Sequence, residues 1–289
     1  MKLSVVIITY NEEENIQRTL ESVQSLVEGG KGEIIVVDSG STDRTVEIAQ
    51  AFKAKVFAEP WKGFAAQKNS AIQKAAGDWI LSLDADEALD ADLQKTLAEL
   101  CEALTLYEKL RGEGANPVML NDARAEIEKH VDSKSNGELV GFWVKRKNFF
   151  LGRWMKHGGS WPDPKLRLFK KDTGAFEDRA VHEDLKVKGR TGTIKHGALL
   201  HHAYPTLASY IEHMNRYSSL GAEMAVAKGR RGFGAFNIIS RPGWTFFYNY
   251  FLRLGFLDGR EGLLLHHFHA MYVSLKYAKV WELTRKREY

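Results

Sequence analysis

Residues Leu3–Thr9 (LSVVIIT) are apolar at almost every position and rich in β-branched side chains, the pattern of a strand covered on both faces. Residues 11–23 follow with helical spacing, so the chain opens on a βα unit. Residues 33–37 repeat the strand signal, Ser39-Gly40-Ser41-Thr42-Asp43 supplies a loop and helix N-cap, and residues 44–52 read as a helix. A short strand at 55–57, a helix from about 63 to 76 and a strand at 79–83 extend the series. Strand and helix alternate, which predicts a mostly parallel sheet with helices on both faces.

Beyond this point the pattern loosens. Residues 89–110 are rich in Leu, Ala, Glu and Lys at helical spacing, whereas 111–137 turn polar and predict a surface loop outside the core. Strand-like runs return at 140–145, 166–169 and 198–202. From Thr206 onward the chain reads as helical again, and no internal repeat is evident.

Composition changes this picture little. A chain of 289 residues holds one large α/β domain plus an appendage, and 44% hydrophobic with 27% charged residues is ordinary for a packed soluble protein. A formal net charge of +4 gives nucleic acid binding little support, and none is expected. Its distribution says more: acids gather in the first 140 residues, and basic runs (145–147, 170–171, 228–231 and 285–287) in the rest, which anticipates an anionic partner for the second half. The single Cys101 closes no intrachain disulfide, the chain begins on a strand-like run instead of a signal peptide, and no window approaches the ~18 apolar residues of a spanning helix. The expectation is a cytoplasmic protein that does not cross a membrane.

In an open parallel sheet ligands sit at the carboxyl ends of the strands, so the polar residues there come first. Glu12 follows the first strand, Asp38 ends the second, and Asp84 and Asp86 follow the strand at 79–83. Singly, Asp38 or Asp84 reads as a cap or turn former. Their convergence on one sheet edge reads as a site. Two carboxylates one residue apart suit a hard divalent cation that bridges a diphosphate, and without it such acids would repel an anionic substrate. Asp38 is placed to accept hydrogen bonds from a ribose or base.

The runs Val5-Val6-Ile7-Ile8-Thr9-Tyr10-Asn11-Glu12, Val36-Val37-Asp38-Ser39-Gly40-Ser41-Thr42-Asp43 and Leu83-Asp84-Ala85-Asp86 occur in the order of, and resemble, the family 2 glycosyltransferases of GT-A fold. The resemblance implies an α/β, Rossmann-like, mostly parallel sheet flanked by helices, with a C-terminal helical extension. It also implies that Thr9, Tyr10, Glu12 and Asp38 line a nucleoside pocket, that Asp84 touches the ribose or the metal, and that Asp86 ligates Mg2+ or Mn2+. Lys68-Asn69 resembles the Arg/Lys-Asn step of such enzymes, although Lys68 also reads as a solvated helix residue.

An inverting transfer needs a carboxylate to take the acceptor proton. Val181-His182-Glu183-Asp184-Leu185 resembles both the Glu-Asp motif of the wider family and the Val-His-Glu version of the lipopolysaccharide-core enzymes. The two alignments leave Glu183 or Asp184 as the base, with Glu183 preferred. Among ten histidines, His202 is a candidate third metal ligand, and His266, His267 and His269 read as helix-face residues. Aromatics at 233–256 beside Arg230-Arg231, Arg241 and Arg253 fit either core packing or an anionic bilayer surface.

Leu257-Asp258-Gly259-Arg260 and Lys276-Tyr277-Ala278-Lys279 resemble the lipopolysaccharide-core β-glucosyltransferase group, which implies a UDP-sugar donor and a lipid-linked or lipopolysaccharide-core acceptor. The expected organisation is a catalytic domain at 1–205, with a nucleotide-sugar half at 1–100, an excursion at 101–138 and an acceptor half at 139–205, followed by a helical, membrane-peripheral region at 206–289. Two other classes compete. A GT-A nucleotidyltransferase would carry a Gly-rich basic loop after the first strand, which Thr9-Tyr10-Asn11-Glu12 lacks. A non-catalytic nucleotide-sugar-binding protein sits poorly with intact Asp86 and Glu183.

Overall fold

The computed structural model describes residues 2–133, 137–177, 184–230, 234 and 236–285, which fall into two compact units. The first comprises residues 2–146, 164–177 and 184–201, and the second 147–163 and 202–285.

In the first unit, β1 (Leu3–Thr9) leads into α1 (Ile16–Val27), then β2 (Gly32–Asp38), α2 (Thr45–Ala51), β3 (Lys55–Ala58), α3 (Phe64–Lys74) and β4 (Trp79–Asp84). β1 is central, parallel to β2 on one side and to β4 on the other, and β3 lies parallel to β2. The apolar runs that signalled strands are buried because helices cover both faces. Val5, Ile7, Leu20, Val36 and Leu81 pack on one side, and Val6, Ile35, Ala71 and Ile80 on the other. Each such fully buried aliphatic side chain contributes roughly 1.5–3 kcal/mol.

α1 starts five residues later than the periodicity predicts. Asn11 takes a left-handed conformation (φ 53°), and Glu12 closes a turn by accepting from the Asn15 and Ile16 amides, so 11–15 form a loop. The second departure is larger. After β5 (Glu87–Leu89) and α4 (Ala91–Gly112), the stretch expected as a surface loop forms α5 (Pro117–His130). Asn116 caps it by accepting from the Met119 amide at 3.0 Å, Pro117 occupies the first turn, and Ala123 and Ile127, one turn apart, are buried. Polar composition hid a helix with one narrow apolar stripe.

The remaining strands are β6 (Val131–Asp132), β7 (Leu139–Phe150), β8 (Arg153–Trp154), β9 (Asp163–Lys170), β10 (Gly174–Glu177), β11 (Asp184–Val187), β12 (Arg190–Ile194) and β13 (Leu199–Tyr204). The main sheet runs β3-β2-β1-β4-β9-β7-β12-β6, with β9 antiparallel to β4, so it is parallel in its first half and mixed beyond. β5 pairs antiparallel with β13, setting His201 opposite Glu87. β10 and β11 form a separate two-stranded ribbon.

The second unit holds α6 (Leu207–Ala227), α7 (Arg241–Phe247), flanked by π-helical segments at Phe236–Ser240 and Tyr248–Leu252, and α8 (Gly259–Arg285). Phe150, Met155 and Tyr210 form a core with Leu264, Leu265 and Phe268. Asp258, 1% exposed, accepts from the Lys156 amide at 3.2 Å and the His157 amide at 2.8 Å, with His157 Nδ1 at 2.8 Å, and so ties the start of α8 to residues 156–157.

Candidate functional site

Strand register builds the site. Thr9 lies opposite Asp38 across β1 and β2, and Ile8 opposite Asp84 across β1 and β4, so three adjacent parallel strands end in polar residues at one edge. The loops beyond are stitched together: Asn11 Oδ1 accepts from the Thr42 amide at 2.8 Å, the Asn11 amide donates to Ser41 Oγ at 2.8 Å, and the Glu12 amide donates to Thr45 Oγ1 at 2.8 Å.

Asp38, 2% exposed, accepts from the Gly40 and Ser41 amides at 2.9 and 2.8 Å and from the Ser41 hydroxyl. Gly40 stands at φ 93°, where a side chain would strain the backbone, and this lets the loop fold back onto the carboxylate. Beside it, Thr9 Oγ1 and Ser39 Oγ are buried and find no hydrogen-bond partner among the described residues. Buried hydroxyls are normally satisfied, so an unmatched pair at the ends of β1 and β2 suits a polar ligand. Tyr10 is exposed at this edge. Glu12 is half-buried and accepts from Asn15 Nδ2 at 2.9 Å. Burial raises its carboxyl to about 7 against the Asn15 hydrogen bond, with help from the negative charges of Asp86, Asp43 and Asp84.

The acids after β4 are not the bare anionic cluster that the sequence suggests. Asp84 is gripped by Lys68 Nζ on Oδ1 and by Arg167 Nη2 on Oδ2, each at 2.6 Å. Glu87, fully buried, accepts from Arg167 Nη2 at 2.6 Å and Arg146 Nη1 at 2.9 Å. Three cations (Lys68, Arg146, Arg167) thus hold two carboxylates (Asp84, Glu87) in one ion-pair network. Burial pushes the Asp84 carboxyl up, but Arg167 and Lys68 hold it well below the usual range.

Lys68 is 3% exposed, with its ammonium 5.2 Å from the Phe176 ring centroid, so it is no solvated helix residue. Asn69 locks α3 to β10 by donating from Nδ2 to Phe176 O at 2.8 Å and accepting from the Phe176 amide at 2.9 Å.

Asp86 faces outward from this network, and its neighbour is His201, not His202. His201 Nε2 lies 3.3 Å from Asp86 Oδ2, while the His202 ring stacks on Phe149 at 4.4 Å. Burial raises the Asp86 carboxyl, and His201 more than offsets this, leaving it lowered. Among the described residues no three His, Cys, Asp or Glu side chains form a metal cage. The donors present still fit a hard cation of the Mg2+ or Mn2+ kind, since such ions commonly use one or two protein ligands and complete their shell from phosphate oxygens and water.

Of the two candidate bases, Glu183 lies outside the described residues, together with Val181 and His182. Asp184 heads β11, with its carboxylate 2.8 Å from Lys186 Nζ. The residues that sequence reasoning missed are Arg167, Arg146, Glu87 and His201. Arg167 left a trace, as a charge between the apolar residues of β9.

Residues 4–114 match the model for glycosyl transferase family 2. The chain is 28% identical over 293 residues to the lipopolysaccharide core biosynthesis glycosyltransferase LpsC of Rhizobium meliloti, covering 98% of this chain and 93% of that protein. It is also 28% identical to an uncharacterized glycosyltransferase of Rickettsia typhi, covering 99% of this chain and 88% of the relative. Among solved structures, glucosyl-3-phosphoglycerate synthase from Mycobacterium tuberculosis with Mn2+ and UDP-glucose is 31% identical over 36% of this chain and 39% of that one, with a TM-score of 0.30. Residues 4–114, which carry Thr9, Glu12, Asp38, Lys68, Asp84 and Asp86, thus match the glycosyl transferase family 2 model, and the chain is similar to glycosyltransferases along almost its whole length.

Proposed function

We propose that the protein is a divalent-metal-dependent, inverting glycosyltransferase that moves a hexose from a UDP-sugar to a lipid-linked, lipopolysaccharide-core saccharide. The observation that carries this reading is the alignment of Asp38, Asp84 and Asp86 with the unmatched hydroxyls of Thr9 and Ser39 at one strand edge. The near full-length similarity to LpsC supports the acceptor class. The lone Cys101, whose thiol burial pushes up to about 12 and so keeps inert, suits a cytoplasmic setting.

In this reading Thr9, Tyr10, Glu12 and Asp38 receive the nucleoside. Lys68 and Arg167 hold Asp84 rigid, so that Asp84 serves the ribose side and sets the strand end from which Asp86 projects. Asp86, with His201 beside it, would hold Mg2+ or Mn2+, which when bound would supply positive charge for the departing diphosphate. The acceptor hydroxyl oxygen bonds to the anomeric carbon as the bond from that carbon to the diphosphate oxygen breaks, and UDP leaves with the electron pair. Glu183 or its neighbour Asp184 takes the hydroxyl proton. The ion pair of Asp184 with Lys186 favours Glu183 for that task.

The test is a thermal-shift screen of UDP, UDP-glucose and GDP-mannose with and without Mn2+, on the wild-type chain and on Asp86→Ala. A ligand at 100 times its Kd stabilises the native state by about 2.7 kcal/mol. UDP ligands are expected to stabilise the wild type more when Mn2+ is present, and Asp86→Ala to lose the increment due to Mn2+. Equal Mn2+ enhancement in both proteins would overturn the metal assignment, and no response to any UDP ligand would overturn the donor.

A further inference from the structure

The segment from 236 to 257 turns an apolar face away from the unit that holds it. α7 is held on α8 through its other side: Pro242 is buried, Arg241 donates to the Tyr277 hydroxyl, and Ser274 Oγ donates to Ile238 O at 3.0 Å. Outward stand Ile239 at 70% exposure, Trp244 at 61% and Leu252 at 56%, with Phe247 and Phe251 also exposed. Trp244, Phe247 and Phe251 recur at helical spacing and their rings lie tilted against one another, with centroids 5.8 Å apart for the first pair and 5.4 Å for the second. Isolated exposed apolar residues need no explanation, whereas a continuous aromatic stripe marks an interaction surface.

Charge identifies what covers it. Residues 224–257 contain Lys228, Arg230, Arg231, Arg241 and Arg253 and no Asp or Glu. Lys228, Arg230, Arg241, Arg253 and the following Arg260 are exposed, and among the described residues none of them pairs with a carboxylate. Arg253 sits 5.3 Å from the Tyr248 ring centroid, at the border of the stripe. Exposed Trp and Phe bordered by unpaired Arg match the headgroup zone of a bilayer, where rings enter the acyl boundary and guanidinium groups meet phosphates.

We propose that this face of the second unit docks in the plane of an anionic lipid bilayer, with Ile239, Trp244, Phe247, Phe251 and Leu252 entering the interface and Arg230, Arg253 and Arg260 meeting lipid phosphates. No described helix is long and apolar enough to cross a membrane, so the contact is peripheral. It stands independently of the donor and acceptor proposed above.

The test is cosedimentation of the full chain with vesicles of phosphatidylcholine alone or with about 30% phosphatidylglycerol, at low salt and at about 0.5 M NaCl, where charge attraction is screened within a few ångströms. The expected result is binding to the anionic vesicles that salt weakens. Trp244→Ser/Phe247→Ser/Phe251→Ser should lower the partition coefficient at least about tenfold while keeping its melting transition, because these side chains contribute little to the core. Val118→Ser/Met119→Ser, which alters exposed apolar residues on α5, should bind as the wild type does. Equal partitioning of wild type and triple variant, or indifference to phosphatidylglycerol, would overturn the proposal. So would a concentration-dependent dimer that the triple substitution dissolves in the absence of vesicle binding, since the occupant would then be a second copy.

Discussion

Arg167→Met removes a cation that is 5% exposed and touches both Asp84 and Glu87 at 2.6 Å. Each carboxylate loses one of its two cations, with Lys68 left to hold Asp84 and Arg146 to hold Glu87. Deleting one partner of a buried ion pair costs about 3–5 kcal/mol, against about 0–1 kcal/mol at the surface. Glu87 is fully buried and argues for the upper range, while the Asp84 side chain, 29% exposed, can recruit water. A loss of about 3 kcal/mol at pH 7 is therefore expected in urea denaturation with an unchanged m-value. Because Arg167 and Lys68 depress the Asp84 carboxyl, its stabilisation is present above the unfolded value near 3.8 and is lost as pH falls through the folded one. The gap between wild type and variant should accordingly narrow below about pH 4. Arg167→Met/Glu87→Gln should recover at least ~1 kcal/mol, since Glu87 is then no longer a buried carboxylate that has lost one of its two cations. A cost below about 1 kcal/mol, or a gap that does not change with pH, would refute a dry ion-pair network.

Other consequences are equally direct. Glu183→Gln is expected to keep nucleotide affinity and to lower transfer about 10²- to 10⁴-fold in a steady-state assay, and if Asp184→Asn alone does so, the base is Asp184. Glu33, 8% exposed, is driven up by burial but is held down to about 2 by Lys55, the Ala76 amide and Ser4, so its stabilisation is present above pH 4.5 and disappears as pH falls through 2. Glu33→Gln should cost about 1–2 kcal/mol at neutral pH, discounted because Lys55 is largely exposed, and nothing near pH 2; an equal cost at both would show packing, not charge, at work.

The first half of the fold was legible because its signals are local. β1, β2 and β4 are largely apolar runs that end in polar residues, and a parallel βα pattern places those ends together without knowledge of any long-range contact. α5 was missed for the opposite reason, since two buried residues on a fourteen-residue helix barely mark a face, and burial against α4 decides what composition could not. β5 is three residues long and exists only because Leu199, Leu200 and His201 pair with it from more than a hundred residues away.

The same limit separates the site's visible acids from its hidden cations. Asp84 and Asp86 are separated by one residue and read as one motif, yet partners distant in the chain give them different surroundings. Arg167, contributed by β9 83 residues later, neutralises Asp84, and His201, contributed by β13, lies beside Asp86. Strand geometry explains why the histidine is 201 and not 202. Successive residues of a strand point to opposite faces, and a register that sets His201 across from Glu87 turns His202 onto Phe149. With Asp84 and Glu87 already paired to Lys68, Arg146 and Arg167, Asp86 is the carboxylate after β4 left for the proposed metal ion. If the proposed metal dependence holds, Asp86 is the position where a single substitution would separate it from the stability of the site.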